Sequence, residues 1–303
     1  MQTTIVNSRA KLTPQLKTFC VKHNLSHRTI LSINPKTEKS KEETRILHFA
    51  PETISGHNVC AGAGNCKKVC LHFAGIPFLM GGKKTARISR TLAHFDCPQT
   101  FLELTATAIL YNRSLLTDSE LLAIRLNGTS DIPWETIEFT VSPELSRFWQ
   151  VKFGVYIVAT TYPSVIHMFS HYPELMIKFY DYTKIKRNWS ECRRIGYHLT
   201  FSFDGWDNAA NLKLCRDALL NGVNVAAAFN IKRGQSLPQE ISAAGFNLPQ
   251  SATFTGGVLP VIDGDLTDFR PSDPAAGVIV GLRFKLPHGV PYTAAEREAF
   301  CIA

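Results

Sequence analysis

The sequence contains no apolar run that approaches the ~20 residues needed to cross a bilayer, so we expect no membrane-spanning helix. Residues 1–4 are not a basic region followed by an apolar core, which argues against a secretory leader. A glycine-rich phosphate loop and a serine nucleophile elbow are also absent, so hydrolases of those types are disfavoured. The absence of a membrane span and of a secretory leader predicts a cytoplasmic protein.

Acidic residues are in deficit, because 25 Asp and Glu stand against 33 Lys and Arg and give a formal net charge of +8. Such an excess favours anionic partners, among them nucleic acid, nucleotides and anionic cofactors. The hydrophobic share of 45% nevertheless supplies enough apolar side chains for a large globular core.

Cysteines are the feature around which the chain is organised. Three of the eight, Cys60, Cys66 and Cys70, fall within one loop, and the other five are scattered. In the reducing cytosol we expect free thiols or metal ligands rather than disulfides. The small residues 61–64 let the loop fold around a central object, and the two lysines 67–68 are expected to hold thiolates charged. The loop therefore predicts a metal site.

Three thiols leave one position of a four-ligand site open. Either a distant residue completes a structural zinc site, or an exogenous ligand occupies an iron or zinc. His72, two residues after Cys70, is available as the fourth ligand and is equally an ordinary loop histidine. An iron-sulfur cluster is favoured over zinc, because a structural zinc site needs that fourth protein ligand.

Apolar runs alternate with helical segments over most of the chain. Predicted strands span 44–49, 121–126, 176–183, 197–203, 223–229, 257–262 and 277–284. Predicted helices span 14–24, 83–92, 98–112, 164–172, 208–221 and 239–244. Strands that alternate with helices at this spacing predict a mainly parallel sheet whose strands are apolar on both faces.

Six or seven such units predict an α/β fold, a full or partial (β/α) barrel of the TIM type with parallel strands. We expect an N-terminal extension over 1–43, a barrel-like domain with the cysteine loop over 44–290, and a C-terminal tail over 291–303.

The basic segment 83–92 is predicted to be a helix that buries Ile88 and Leu92, which lie four residues apart. Its lysines and arginines form either a solvated face or a contact with phosphate or a cofactor.

Six aspartates follow apolar strands, at the edge where barrel sites form: Asp131, Asp181, Asp204, Asp263, Asp265 and Asp268. Each is either a turn former or helix cap, or part of a carboxylate set whose mutual repulsion shifts pKa values toward acid-base use. Asp131 and Asp263 are our preferred catalytic pair. Arg125 and Arg283 lie within apolar strands, so we expect them to pair with these carboxylates or to bind an anion.

Five aromatic residues are candidates for base stacking together with the basic segment 184–187: Trp134, Tyr180, Tyr182, Trp189 and Trp206. Aromatic rings beside cations can stack on nucleic-acid bases. The alternative is that these rings pack over the rim of the barrel.

The order of these motifs resembles the phage gene product 88 family. The matching stretches after the cysteine loop are Ile124–Trp134, Phe179–Lys184, Val261–Asp268 and Gly277–Arg283, within residues 44–285. That family is similar to radical S-adenosylmethionine barrels, in which three cysteines after the first strand bind a four-iron four-sulfur cluster. The sulfonium substrate of those enzymes takes the open iron.

The resemblance implies that Cys60, Cys66 and Cys70 are cluster ligands. It also implies that the turn formed by Gly128, Thr129, Ser130 and Asp131, with Arg125 beside it, binds S-adenosylmethionine and that Asp131 meets its amino group. The cysteines here are separated by five and three residues, whereas three and two are usual in those enzymes, and Val69 replaces a common aromatic. This difference favours cluster binding over radical chemistry.

The resemblance therefore implies a phage or mobile-element protein and a radical-S-adenosylmethionine-like enzyme, which we expect in the host cytoplasm. The net charge of +8 makes a nucleotide or nucleic-acid-related substrate the first expectation. The alternative is a non-catalytic protein in which a cluster or zinc stabilises the loop and a basic face binds nucleic acid or a host protein.

Overall fold

A computed structural model describes residues 11–33, 42–70, 81–232, 234–248, 257–285 and 292–302. The helices are α1 Pro14–His23, α2 Gly81–Asp96, α3 Pro98–Arg113, α4 Pro143–Phe153, α5 Val165–Ser170, α6 Trp189–Arg194, α7 Ala209–Leu220 and α8 Ala294–Phe300. The strands are β1 Leu31–Ser32, β2 Glu43–Leu47, β3 Leu122–Arg125, β4 Phe139–Thr140, β5 Thr161–Tyr162, β6 Ile177–Thr183, β7 Tyr197–Ser202, β8 Val225–Phe229, β9 Glu240–Ser242, β10 Val258–Asp263 and β11 Ile279–Arg283.

A nine-stranded sheet in the order β1-β2-β3-β6-β7-β8-β11-β10-β9 forms the centre of the fold. The seven strands from β2 to β10 in this order are parallel, and β1 and β9 add antiparallel edges. The prediction of an α/β fold with a mainly parallel sheet is confirmed. Among the strands that the structure describes, no ladder joins β1 to β9, so they do not form a closed barrel.

The two faces of the sheet differ in chemistry. One face carries Leu122, Ile124 and Phe179 into the main hydrophobic core. On the other face the paired positions are polar, and we call this set the polar face: Arg125, Tyr180, Tyr182, His198 and Thr200. The expectation that the strands are apolar on both faces is therefore wrong for β3, β6 and β7. It holds for β8, where Val225, Ala226 and Ala227 are all buried. The polar face is covered by the turn Arg270–Ser272, which packs against β6 and β7.

Two local predictions are wrong for reasons of tertiary packing. The segment 239–244 is not a helix, because β9 pairs antiparallel with β10 and a short 3-10 turn follows it. Six residues are too few to hold a helix against such pairing. In α2, Leu92 is 41% exposed, whereas Arg87, Thr91 and His94 are buried. This helix turns a polar stripe toward the protein, and Thr91 accepts a hydrogen bond from the Ala50 N–H at 2.9 Å.

Residues from both predicted extensions take part in the packing. Leu16 and Phe19 of α1 belong to the main core, and α1 ends at Asn24 in the left-handed conformation. Near the end of the described chain, Ile302 forms a parallel bridge with Phe229 of β8. None of the described helices combines the length and the apolar character needed to cross a membrane.

Candidate cysteine-loop site

The cysteine loop follows β2 and lies over the carboxyl ends of the neighbouring parallel strands. Asp204, which follows β7 and is fully buried, accepts hydrogen bonds from the Asn65 N–H at 2.8 Å and the Cys66 N–H at 3.0 Å. The Asn65 side chain donates to the Asp204 carbonyl at 2.9 Å. Because charge-assisted bonds to buried amides are strong, this carboxylate fixes the middle of the loop on the sheet.

Two glycines allow this close approach. A Cβ on Gly64 would lie 2.3 Å from Asp204 Oδ2, and a Cβ on Gly62 would lie 2.8 Å from the Lys184 carbonyl oxygen. Any side chain at either position would push the loop away from the strand ends. Gly62 and Gly64 therefore allow the loop to contact the residues that follow β6 and β7.

The first cysteine touches the turn after β3. The Cys60 thiol donates to the Thr129 carbonyl at 3.7 Å and accepts from the Glu52 N–H at 3.4 Å. One residue earlier, the Val59 carbonyl accepts from the Asp131 N–H at 2.7 Å. The structure thus brings the cysteine loop and the predicted cofactor turn together.

Thiol ionisation is opposed by burial. Burial raises the pKa of Cys60 to about 11, and the Glu52 N–H partly offsets this effect. Burial likewise raises the pKa of Cys66 to about 12, with Lys184 acting in the opposite direction. All eight cysteines are free, as expected. At neutral pH these thiols stay protonated unless a bound cation compensates for their desolvation.

The two lysines of the loop are each paired with a carboxylate. Lys67 Nζ lies 2.9 Å from Glu52, and Lys68 forms an ion pair with Glu296 of α8. Lys67 also acts electrostatically on Cys66 and Cys60, so the expectation that the lysines hold the thiolates charged stays a prediction. Their carboxylate partners tie the loop to its flanks.

The donor set suits a thiolate-bound group in its chemistry, because three soft ligands share one half-buried loop. Cys60 and Cys70 act on each other electrostatically, which makes them neighbours. Within the described ranges, however, no group of three or more His, Cys, Asp or Glu side chains is arranged to hold a metal ion. His72 lies outside the described residues. The metal site stays a prediction.

Asp131 connects the turn after β3 to the end of β6. Its carboxylate accepts from Thr183 Oγ1 at 2.8 Å, the Lys184 N–H at 2.6 Å and Arg187 Nη2 at 2.7 Å. Arg187 also donates to Glu135 at 3.0 Å, and these ionised side chains are buried. Asp131 therefore orders two strand ends beside the cysteine loop, and its contact with an amino group stays a prediction.

The neighbouring Gly128 and Ser130 also hold this turn in place. The Gly128 N–H donates to the Leu47 carbonyl at 2.9 Å, and Ser130 Oγ donates to Asn127 Oδ1 at 2.9 Å. Thr129 Oγ1 donates to the Phe49 carbonyl at 2.6 Å. These hydrogen bonds hold the turn in its conformation without a bound ligand.

The arginines within strands pair as predicted. Arg125 Nη1 lies 3.1 Å from Asp268, and Arg283 Nη1 lies 2.9 Å from Asp263 and 3.3 Å from Asp265. Asp131 and Asp263 have different ion-pair partners, and four strands separate β3 from β10 in the sheet. Their catalytic pairing stays a prediction.

Asp181 is a buried carboxylate whose role the sequence did not distinguish. It accepts from the Leu126 N–H at 3.0 Å, the Asn127 N–H at 2.9 Å and Tyr197 Oη at 2.8 Å. Burial raises the pKa of Asp181 to about 6, against the opposing effect of Arg125. From the neighbouring strand β6, Asp181 therefore accepts the first two backbone N–H groups after β3.

Most of the aromatic set is used in packing. Trp134, Tyr180 and Trp189 are buried, and Tyr182 lies under the Arg125 guanidinium at 5.0 Å from its ring centroid. Trp206 is 38% exposed and packs on Phe203 and Phe246. The buried rings are therefore core residues rather than a layer over a barrel rim.

Asp204, Lys184 and Arg187 are the main residues of this site whose roles the sequence did not reveal. Asp204 was one of six aspartates after strands, and only the fold shows that it meets the loop amides. Lys184 Nζ lies 3.5 Å from Asp204 Oδ1. The Lys184 ammonium group also lowers the pKa of Cys66, against the effect of burial.

The family described as Gene product 88 matches residues 24–303, which include the cysteine loop and the whole parallel sheet. No curated protein and no solved structure matches the chain.

Proposed function

The chain belongs to the phage gene product 88 family, and from this premise we propose that it is an iron-sulfur protein of the host cytoplasm. In this proposal Cys60, Cys66 and Cys70 hold a four-iron four-sulfur cluster. The observation that carries it is the placement of three cysteines, none of them in a disulfide, on one loop that Asp204 fixes at the carboxyl edge of a parallel sheet. Soft thiolates at such an edge are typical iron-sulfur ligands.

We further propose that the fold is a partial (β/α) barrel and that the protein has a radical-S-adenosylmethionine-like activity. Cys60, Cys66 and Cys70 would hold the cluster and leave one iron for an exogenous ligand. Once reduced by an external electron donor, the cluster would supply the electron that cleaves S-adenosylmethionine. Gly128, Thr129 and Ser130 would bind that ligand beside Cys60, with Arg125 and Asp131 as its charged contacts. Asp131 and Asp263 are the proposed acid-base residues, and the substrate is a nucleotide or a nucleic-acid component.

Burial at the loop supports the cluster in two ways. It limits access of water to the thiols, and it makes their ionisation depend on a bound cation. Lys184 beside Cys66 and Arg87 beside Cys70 add positive charge where a cluster with three thiolates carries net negative charge.

One observation favours a second candidate, a non-catalytic protein in which zinc or a cluster stabilises the loop and nucleic acid or a host protein is bound. The Asp131 carboxylate accepts three hydrogen bonds from the protein itself, as expected of a structural residue. The net charge of +8 would then serve binding alone.

The test is anaerobic purification followed by iron, sulfide and zinc analysis and an ultraviolet-visible spectrum. Wild type is compared with Cys66→Ala and with Cys20→Ala, a control thiol on α1. We expect about four irons and four sulfides per chain with absorbance near ~400 nm, lost only in Cys66→Ala. A stoichiometric amount of zinc and no iron in wild type would contradict the proposed iron-sulfur cluster.

Activity separates the two candidates. Cleavage of S-adenosylmethionine by the reduced protein supports the enzyme. A cluster or zinc protein that never cleaves it but binds nucleic acid in a salt-dependent manner supports the binding protein.

A further inference from the structure

Helix α8 lies over the cysteine loop at the carboxyl edge of the sheet. It packs against the short 3-10 turn Asn65–Lys67, which contains Cys66. Its last turn lies on the bend that follows β7, because a Cβ on Gly205 would lie 2.4 Å from the Ala299 carbonyl oxygen. A side chain at position 205 would therefore push the helix away from the loop.

Phe300, the last residue of α8, covers a cation beside Cys66. The Lys184 ammonium group lies 5.9 Å from the centroid of the Phe300 ring. It also lies 3.5 Å from Asp204 Oδ1, the oxygen that accepts the Cys66 N–H at 3.0 Å. A continuous set of contacts thus connects α8 to the part of the loop that holds Cys66.

The segment that follows α8 is anchored in the protein interior. Cys301 and Ile302 are 2% and 5% exposed. The Ile302 N–H donates to the Ala228 carbonyl at 2.8 Å, and the Ile302 carbonyl accepts the Asn230 N–H at 3.0 Å. These two hydrogen bonds attach the segment to the end of β8.

The helix itself is held much less firmly than this anchor. None of the seven residues Ala294–Phe300 is buried. The first turn of the helix is attached to the cysteine loop by an ion pair between Glu296 and Lys68, whose side chains are 28% and 62% exposed. Exposed ion pairs contribute little to stability, and a helix of this length is not stable on its own.

Glu296 stabilises both the helix and its contact with the loop. Its Oε2 accepts the Thr293 N–H at 2.7 Å, and the Thr293 hydroxyl accepts the Glu296 N–H at 3.1 Å, which together form a capping box. The other carboxylate oxygen, Oε1, accepts from Lys68. The start of α8 and its attachment to the loop therefore depend on one side chain.

We propose that α8 is a lid over the Cys66 side of the cysteine loop, with the ion pair between Lys68 and Glu296 as its latch. The helix lifts from the loop while the segment 301–302 stays bound to β8, and Cys66 then becomes accessible. Segments with few buried contacts are the ones that open locally in native proteins. This inference deepens the proposed function, because it names how access to the cysteine loop is controlled, and it rests on that function only for the group that enters.

The experiment measures how fast iodoacetamide alkylates each cysteine of the full chain, purified in the presence of a chelator and analysed by peptide mass spectrometry. Wild type is compared with Lys68→Gln, which breaks the latch, and with Lys67→Gln, which breaks the neighbouring pair with Glu52. We expect Cys66 to react about threefold faster in Lys68→Gln than in wild type. It should react no faster in Lys67→Gln, because the loss of a nearby positive charge alone disfavours the reactive thiolate.

Glu296→Gln tests the same latch from the helix side. Glutamine keeps an oxygen that can accept the Thr293 N–H, but it has no charge to pair with Lys68. Glu298→Gln, at an exposed position of the same helix, is the control. Cys66 should react faster in Glu296→Gln, at the wild-type rate in Glu298→Gln, and no faster when Lys68→Gln is added to Glu296→Gln.

Two other thiols report on competing explanations in the same samples. Cys60 lies against the turn after β3, so its rate should not change if only the lid moves. Cys215 is 0% exposed and should react only when the chain unfolds. An unchanged rate for Cys66 in both latch variants would overturn the proposal. So would a faster rate that Cys60 or Cys215 shares, because the whole loop or the whole chain would then be opening.

Hydrogen exchange of the full chain, purified anaerobically, makes the same test without a chelator. The amides of α8 should exchange faster in Lys68→Gln than in wild type, whereas the Ile302 amide, which is bonded to Ala228, should keep its protection. Equal exchange of α8 in the two proteins would contradict the latch.

Iron and sulfide analysis of the anaerobic samples separates the lid from the cluster. Latch-dependent exchange of α8 in a protein that never takes up iron supports the lid and rejects the cluster. A protein that holds a full cluster while exchange of α8 and alkylation of Cys66 ignore the latch rejects the lid alone.

Discussion

The Asp204 carboxylate and the Cys66 backbone are joined directly, because Asp204 Oδ1 accepts the Cys66 N–H at 3.0 Å. The second oxygen accepts the Asn65 N–H at 2.8 Å and the Asn208 side chain at 2.9 Å. A carboxylate at the end of β7 thereby determines where the central cysteine stands. Any ligand chemistry at the loop depends on this connection.

Replacing Asp204 by alanine should therefore destabilise the protein and release the loop. Two buried amide donors lose a charged acceptor, and a loss of about 3 kcal/mol is expected in urea unfolding. Asp207→Ala is the matched control, because the exposed Asp207 accepts a hydrogen bond from the Asn65 side chain in the same loop. Equal losses in the two variants would show that the buried carboxylate has no special role.

Gly64→Ala should have a similar effect through sterics. The new Cβ would lie 2.3 Å from Asp204 Oδ2, so the loop or the carboxylate must move, at a cost of about 1–3 kcal/mol. Gly82→Ala is the control, since no atom of the described residues lies within 4 Å of a Cβ at this position. The free energy of unfolding and the content of any bound metal should fall in the first variant and stay unchanged in the second. A fully stable Gly64→Ala protein would contradict the packing described for this loop.

Asp181 should make stability depend on pH in the acidic range. Burial raises the pKa of Asp181 to about 6 in the folded protein, against ~3.9 in an unfolded chain. The folded state then binds more protons between these values, so the contribution of this group falls as pH rises from about 4 to about 6. The expected change is on the order of 2 kcal/mol.

The measurement compares wild type with Asp181→Asn in urea unfolding across that pH window. The stability of wild type relative to the variant should decline with rising pH, whereas the exposed Asp118→Asn control should follow wild type. A difference that is constant with pH would contradict the raised pKa of Asp181.

Much of the sheet could be predicted from the sequence, because buried parallel strands are apolar runs that end in polar turns. The pairing of Arg125 and Arg283 with carboxylates could be predicted as well, since an unpaired charge within a strand is expensive to bury. Helix α2 shows where this reasoning ends. Ile88 and Leu92 have helical spacing, yet Leu92 is 41% exposed, while Arg87 and His94 are buried.

The difference is physical. Helical periodicity identifies the buried face only when that face is apolar throughout, whereas α2 packs on α1 and α3 and also receives the Ala50 N–H on Thr91. The role of Asp204 has the same explanation, because its donors lie 138 and 139 residues away in the sequence. Contacts of that range are set by topology and leave no local pattern.

Arg187→Met should be strongly destabilising. Arg187 Nη2 lies 2.7 Å from Asp131 and Nη1 lies 3.0 Å from Glu135, and the guanidinium side chain is 1% exposed. Removing this cation leaves two buried carboxylates facing each other, which costs about 3–5 kcal/mol. Arg194→Met is the control, because its side chain in the pair with Glu191 is 65% exposed and water screens the attraction in such a pair.

Urea unfolding of the two variants, with Glu135→Gln added to Arg187→Met, measures the effect. The added substitution should recover part of the stability, because it removes one of the two unpaired charges. If Arg187→Met were as stable as wild type, burial of the Asp131 carboxylate would not depend on its ion pair with Arg187. Its carboxylate would then be available to meet the amino group of a bound ligand, which would favour the enzyme over the binding protein.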